Sequence, residues 1–275
     1  IAKKMKCDIL FVPGGSHYGS FSPFVTMHRN LLPFEYRELF RYKFSITTLR
    51  LLLLRFIQCW TYKKSNGLIF LTNYSKKVVM DILGDIQAKT TVIPHGLNSR
   101  FTIKPKVQLD IAHYSEENPY RLLYVSTIDV YKHQWNVLEA AASLRDEGLP
   151  IVIDFVGHTS PHMPAHLNRL NKALKMYDPD KQWAFYHGEI PFNDLHHMHE
   201  QSDLAVFASS CETISNILLE KMASGLPIAC SDRGPLPQIL GKGGVYFNPE
   251  IPDQISGALR DLINDPRLRK KNARV

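Results

Sequence analysis

Residues 211–234 read CETISNILLEKMASGLPIACSDRG, and the change of character inside this run decides the fold. Residues 213–216 are, but for Ile214, small and polar, the composition of a loop that closes on a helix N-cap. Residues 217–223 are apolar and helix-favouring, with Lys221 expected as the one exposed charge. Gly225 stands where a helix C-cap favours glycine, and PIAC (227–230) reads as the next strand. Glu212 and Glu220 bracket the loop and the first helical turn, with seven residues between them. The backbone N–H groups of 214–217 are expected to point out between them, and such a helix end accepts anions.

The same strand–helix alternation runs along the chain, the pattern of parallel α/β sheets. In the first part, strands are expected at 8–12 (DILFV), 23–27 (PFVTM), 67–71 (GLIFL) and 90–93 (TTVI). Helices are expected at about 35–62 and 73–83, the second capped at 72–73. Residues 109–119 lack periodicity and read as a linker. Beyond it, strands fall near 121–125, 151–156, 182–187, 203–207, 227–230 and 244–247. Helices fall near 134–147, 163–176, 193–200, 216–224, 235–240 and 252–264. Six strands each followed by a helix make a complete doubly wound domain, with ligands at the carboxyl ends of its strands. The expectation is therefore a domain over 1–108, a linker over 109–119 and a domain over 120–275. The first has few strands, and the chain runs from IAKK to DPRLRKKNARV, so a fragment lacking both termini is expected.

With 275 residues, 44% hydrophobic and 21% charged, the chain has room for two domains. Residues 1–110 hold 17 Lys and Arg against 6 Asp and Glu, whereas the remainder holds 16 against 20. A basic first half and a mildly acidic second half suit two domains with different partners. Cys7, Cys59, Cys211 and Cys230 show no CxxC spacing, so reduced thiols in a cytoplasmic protein are expected. The greasiest run, Leu51 to Leu54, is bracketed by Arg50 and Arg55 and falls far short of a bilayer span.

Carboxylates flanking an anion-binding helix end suit a diphosphate with sugar hydroxyls on either side, which describes a nucleotide sugar. The stretch resembles the E-x7-E signature of retaining glycosyltransferases of family four, and ASGLP (223–227) resembles that family's A-x-G-x-P continuation. The resemblance implies a GT-B fold, two Rossmann-like doubly wound domains facing a cleft, the N-terminal one incomplete. It implies that Glu220 binds the nucleotide ribose, that Glu212 lies against the transferred sugar, and that Ile214, Ser215, Asn216 and Ile217 face the diphosphate. Two departures stand out: residues 213–215 are Thr-Ile-Ser where the family has Gly or Pro and an aromatic, and Gln238 stands where a Glu is frequent.

Residues 126–134 (STIDVYKHQ) resemble the family's G-R-L-x-x-x-K-G turn, whose cations neutralise the departing diphosphate. Lys132 falls on the family Lys, whereas Thr127 falls on the Arg, so one cation is absent. His28, at the end of PFVTM, resembles the family histidine that approaches the donor sugar. TVIPHGLN (91–98) resembles the family's v-I-P-N-G-V-D crossing. Asp178-Pro179-Asp180 is expected to be a turn rather than a metal motif. His196, His197 and His199 are expected on a solvated helix face, without a metal.

The expected function is thus a metal-independent hexosyltransferase with no cofactor. It would move sugar from a nucleotide-diphosphate donor to a glycan or lipid-linked acceptor, with His28, Lys132 and Glu212 catalytic. The alternative is a catalytically weak homologue that binds sugar or membrane. Arginines and aromatics interleave over 35–64, which suits an anionic membrane surface. No nucleic-acid module accompanies the patch, so no nucleic-acid partner is expected.

Overall fold

A computed structural model describes residues 6–159 and 163–273. Contacts divide the chain into two units, Ile1–Gly96 with Cys211–Ile214, and Leu97–Ser210 with Ser215–Val275.

The first unit carries strands β1 (Leu10–Val12), β2 (Phe24–Met27), β3 (Gly67–Phe70) and β4 (Lys89–Val92). They pair in parallel in the order β1-β2-β3-β4. Helices α1 (Tyr36–Leu39), α2 (Ile46–Lys64) and α3 (Asn73–Leu83) connect them. Thr72 caps α3 in a reciprocal box with Ser75, as the sequence suggested. The single helix expected over 35–62 is instead broken. A 3₁₀ turn (Phe40–Tyr42) follows α1, Lys43 adopts φ 53°, and Ser45 Oγ accepts from Thr48 N–H to start α2 afresh. The polar residues at 45, 47 and 48 carried that cap signal.

Helix α2 buries Thr48, Leu51, Gln58, Thr61 and Tyr62. Its other face exposes Ile46, Leu49, Leu53, Phe56 and Trp60 at alternating spacings of three and four. The outward stripe is thus more apolar than the inward one, the reverse of an ordinary surface helix.

The second unit holds β5 (Tyr120–Val125), β6 (Ile151–Val156), β7 (Ala184–Tyr186), β8 (Leu204–Phe207), β9 (Ile228–Ser231) and β10 (Gly244–Phe247). All pairs are parallel, in the order β10-β9-β8-β5-β6-β7. The order reverses between β5 and β8, the topological switch point where doubly wound sheets bind ligands. Helices α4 (Gln134–Asp146), α5 (Pro164–Tyr177), α6 (Leu195–Gln201), α7 (Asn216–Ala223), α8 (Leu236–Leu240), α9 (Pro252–Asn264) and α10 (Pro266–Asn272) complete the unit. Strands β6 and β8 are buried throughout, as expected of parallel strands covered on both faces.

Residues 97–119 lie in this second unit. Ile103 N–H donates to Ala223 O at 3.2 Å. The fully buried Arg269 holds the expected linker from beneath, donating to Gln108 Oε1 at 3.0 Å, to Leu109 O and to Leu262 O at 2.7 Å. A buried guanidinium needs such acceptors, and the chain provides them from residues that look featureless in sequence. The unit boundary accordingly follows Gly96, rather than the expected residue 108.

Candidate functional site

At the switch point, the turn after β5 is built by neighbours on three sides. Ser126 N–H donates to Val156 O, and Ile128 N–H to His158 O, both at 2.9 Å. Gln134 Nε2 donates to Ser126 Oγ (2.8 Å) and Thr127 O (2.7 Å). Gly157 takes φ 143°, and a Cβ there would lie 1.8 Å from Ser126 O, so only glycine lets β6 end this close to the turn. Asp129 caps the 3₁₀ turn Val130–Lys132. Tyr124 O–H donates to Lys132 O. Lys132 is 6% exposed, its Nζ 4.9 Å from the Tyr131 ring and 5.7 Å from that of Phe207. His133 follows in the left-handed region (φ 52°), where the resembling motif has glycine, and its Nε2 pairs with Ser210 Oγ at 3.0 Å. Ser210 N–H donates to Tyr131 O at 2.8 Å, tying the turn after β5 to the segment after β8.

Helix α7 begins there. Ser215 Oγ accepts from Leu218 N–H at 3.3 Å, and first-turn N–H groups have no carbonyl partner inside the helix. Asn216 is exposed, Ile217 half-buried and Ser215 buried. Glu220 is only 6% exposed. Burial pushes its carboxyl up to about 7, against the opposing pull of the Lys221 charge. The helix end is pinned by Ser224, whose Oγ donates to Glu220 O at 2.8 Å and meets His199 Nδ1 at 2.8 Å.

Lys221 corrects the sequence reading. It is fully buried, not exposed, and its Nζ donates to Val206 O at 2.6 Å. The ammonium lies 5.4 Å from the Tyr124 ring and 5.1 Å from the Phe207 ring. Burial pushes its pKa down to about 7; the Lys132 charge adds to that shift, while Cys230 and Glu220 oppose it. A lysine amid an apolar helix run looks like the solvent-facing position; only the path of α7 over β8 reveals that it points inward.

The remaining site candidates lie in the first unit. Glu212 and Ile214 are half-buried, and Thr72 Oγ1 donates to Thr213 O at 2.9 Å. His28 is fully buried among Phe34, Tyr62 and Phe70, with Nδ1 3.0 Å from Tyr62 Oη. Burial pushes its pKa down to about 3, so the ring is neutral. Its Nε2 meets no hydrogen-bonding group among the described residues.

The Asp178 carboxylate accepts from the N–H groups of Gln182 (2.8 Å), Trp183 (2.9 Å) and Ala184 (2.8 Å), so it turns the chain into β7. His197 pairs with Glu200 at the surface, but His199 is buried, contrary to the solvated face expected for all three histidines. No disulfide joins the four cysteines. Among the described residues, no helix is long and apolar enough to cross a membrane. Sequence reasoning missed Lys221, His133, Gln134 and Gly157; the last two are legible only once β6 is seen to end against the turn after β5.

The fold has counterparts in known proteins. HepE of Anabaena, solved with UDP and glucose, superposes with a TM-score of 0.71 at 16% identity, over 91% of this chain and 64% of that one. Sucrose-phosphate synthase of Thermosynechococcus elongatus gives 0.74 at 18% identity, over 93% and 63%. These likenesses carry the fold, two Rossmann-like units of the GT-B class. By sequence, glycogen synthase of Mycobacterium tuberculosis is 24% identical over 80% of this chain and 50% of its own length. O-antigen chain mannosyltransferase B of Escherichia coli is 30% identical over 32% of this chain and 23% of its own. The chain thus spans half or less of these curated relatives. The pattern of the family "Glycosyl transferases group 1" matches residues 108–274, more than half the chain. The chain belongs to the group 1 glycosyl transferases.

Proposed function

We propose that this glycosyltransferase is a retaining enzyme that moves a hexosyl group from a nucleotide-diphosphate sugar to a glycan or lipid-linked acceptor. One observation carries the reading: α7, with buried Glu220 on its second turn, follows β8, the turn with buried Lys132 follows β5, and these two strands meet at the switch point of a doubly wound sheet, where Ser210 N–H donates to Tyr131 O. A helix amino end attracts phosphate. A carboxylate one turn further accepts hydrogen bonds from ribose hydroxyls. Lys132 supplies positive charge where the leaving diphosphate gains negative charge, with donors in place before reaction. With Ile214, Ser215, Asn216 and Ile217 at the diphosphate, this set neutralises the leaving group without a metal or cofactor. Glu212 lies against the transferred sugar. Neutral His28, with the Tyr62 hydroxyl 3.0 Å from its Nδ1, is assigned to the transferred sugar from the first unit. Orientation of donor and acceptor supplies much of the remaining rate.

The names of relatives, an O-antigen mannosyltransferase and glycogen synthase among them, support a place in polysaccharide biosynthesis. The outward stripe of α2 supports a membrane-linked acceptor. Its apolar side chains are flanked by exposed Arg50, Lys63 and Lys64, and a basic amphipathic face suits the headgroup layer on the cytoplasmic side. Co-sedimentation with anionic but not neutral vesicles, weakened by salt, is the expected outcome; equal partitioning in every condition removes the membrane claim. The main reading is tested by thermal shift with UDP, GDP and ADP. At least one should raise the melting temperature by mass action; no shift with any of them overturns it.

A further inference from the structure

Lys221 is a fully buried lysine whose role the donor chemistry above leaves unassigned. Its side chain leaves α7 one residue after Glu220 and ends at the carbonyl of Val206 on β8, 2.6 Å away. The Phe207 ring takes the Lys221 ammonium at 5.1 Å and the Lys132 ammonium at 5.7 Å. Two ammonium groups therefore share one ring at the switch point, on the strand that leads into α7, the helix whose amino end the proposed function gives to the diphosphate. Thr127, where the resembling motif carries an arginine, supplies no charge.

We propose that Lys221 is a buried counter-charge to the donor diphosphate and takes up a proton as the nucleotide binds. Without an anion, burial and the neighbouring Lys132 both oppose a second charge here, in keeping with the fall of the Lys221 pKa to about 7. A diphosphate bound above supplies the negative charge that reverses this balance. The proton comes from the buffer and adds to the Nζ lone pair; no bond in the nucleotide changes. Lys221 thus acts through the field and through Lys132, without touching substrate, and stands in for the missing arginine.

The titratable or charged groups around Lys221 are Tyr124 on β5, Lys132 in the turn after β5, Cys230 on β9, Glu220 on α7 and His199 on α6. Burial keeps His199 neutral above about pH 3, and Glu220 ionises near 7. Cys230 is the one thiol among them, and its serine variant separates its contribution from that of Lys221.

The proposal rests on nucleotide binding in the second unit, and the experiment separates the two. UDP is titrated calorimetrically at pH 8 in buffers of low and high ionisation enthalpy, with GDP and ADP in parallel. Its terminal phosphate is then already ionised. The wild type should take up close to one proton per nucleotide. Its affinity should fall by up to about tenfold per pH unit between 7.5 and 9. Lys221→Met, which fills the same space, should lose both the uptake and the slope, whereas Cys230→Ser should keep them. Absence of uptake by the wild type overturns the proposal without any variant. So does uptake that survives Lys221→Met, or that disappears in Cys230→Ser. Failure of all three nucleotides to bind overturns the underlying reading and this proposal with it.

Discussion

Glu220→Gln tests the ribose assignment with a magnitude the structure supplies. Glutamine keeps the shape and one acceptor oxygen but cannot ionise, so it mimics the protonated carboxyl. The Glu220 carboxyl is raised to about 7, first by burial and in spite of Lys221. It is therefore about 3% ionised at pH 5.5 and about half ionised at pH 7. A hydrogen bond to a charged acceptor contributes about 1.5 kcal/mol, or roughly twelvefold in affinity. Weighted by the ionised fraction, the wild-type advantage over Glu220→Gln should grow from about 1.3-fold at pH 5.5 to about sixfold at pH 7. The sign follows from the raised pKa: ionisation, and with it ribose binding, is gained as pH rises. Protonation of the UDP phosphate affects both proteins alike and cancels in the ratio. Calorimetric titration with UDP, or with whichever nucleotide raises the melting temperature, measures that ratio at each pH. A ratio that stays flat from pH 5.5 to 7, or equal affinities throughout, refutes the assignment.

Lys132→Ala should lower kcat by about a hundredfold or more while changing UDP affinity much less, because the charge acts most on the leaving group; unchanged kcat returns Lys132 to a packing role. Gly157→Ala places a Cβ 1.8 Å from Ser126 O and should cost about 3 kcal/mol or more, a fall of roughly 6–12 °C in melting temperature. A fall of less than about 2 °C means the turn after β5 yields easily. Asp178→Ala removes a buried acceptor from three N–H groups and should cost about 3–5 kcal/mol in thermal unfolding. Manganese should not alter the melting temperature of the wild type through this carboxylate, and a manganese shift lost in Asp178→Ala would restore a metal role.

The alternation of apolar runs and helical patterns determined the second sheet almost strand by strand: β6, β10 and α9 fall on the residues expected from sequence. The site loop was also legible. Ser215, Glu220 and Gly225 take their positions from local rules of capping and helix ending, which need no distant partner. What only the tertiary structure decided concerns direction and depth. Residues 109–119 read as a free linker because the group that holds Gln108 and Leu109 at its start, Arg269, is some 160 positions away in sequence. The stripe Ile46, Leu49, Leu53, Phe56 and Trp60 faces outward, whereas Leu51, Gln58 and Tyr62 occupy the inner side. Lys221 reads as the solvent charge of its helix, yet it ends at a strand carbonyl. Periodicity states which residues share a face; it carries no information about which face meets the sheet. That choice is made by the packing of the whole unit, because burying a charge is tolerated only where remote residues such as Val206 and Phe207 receive it.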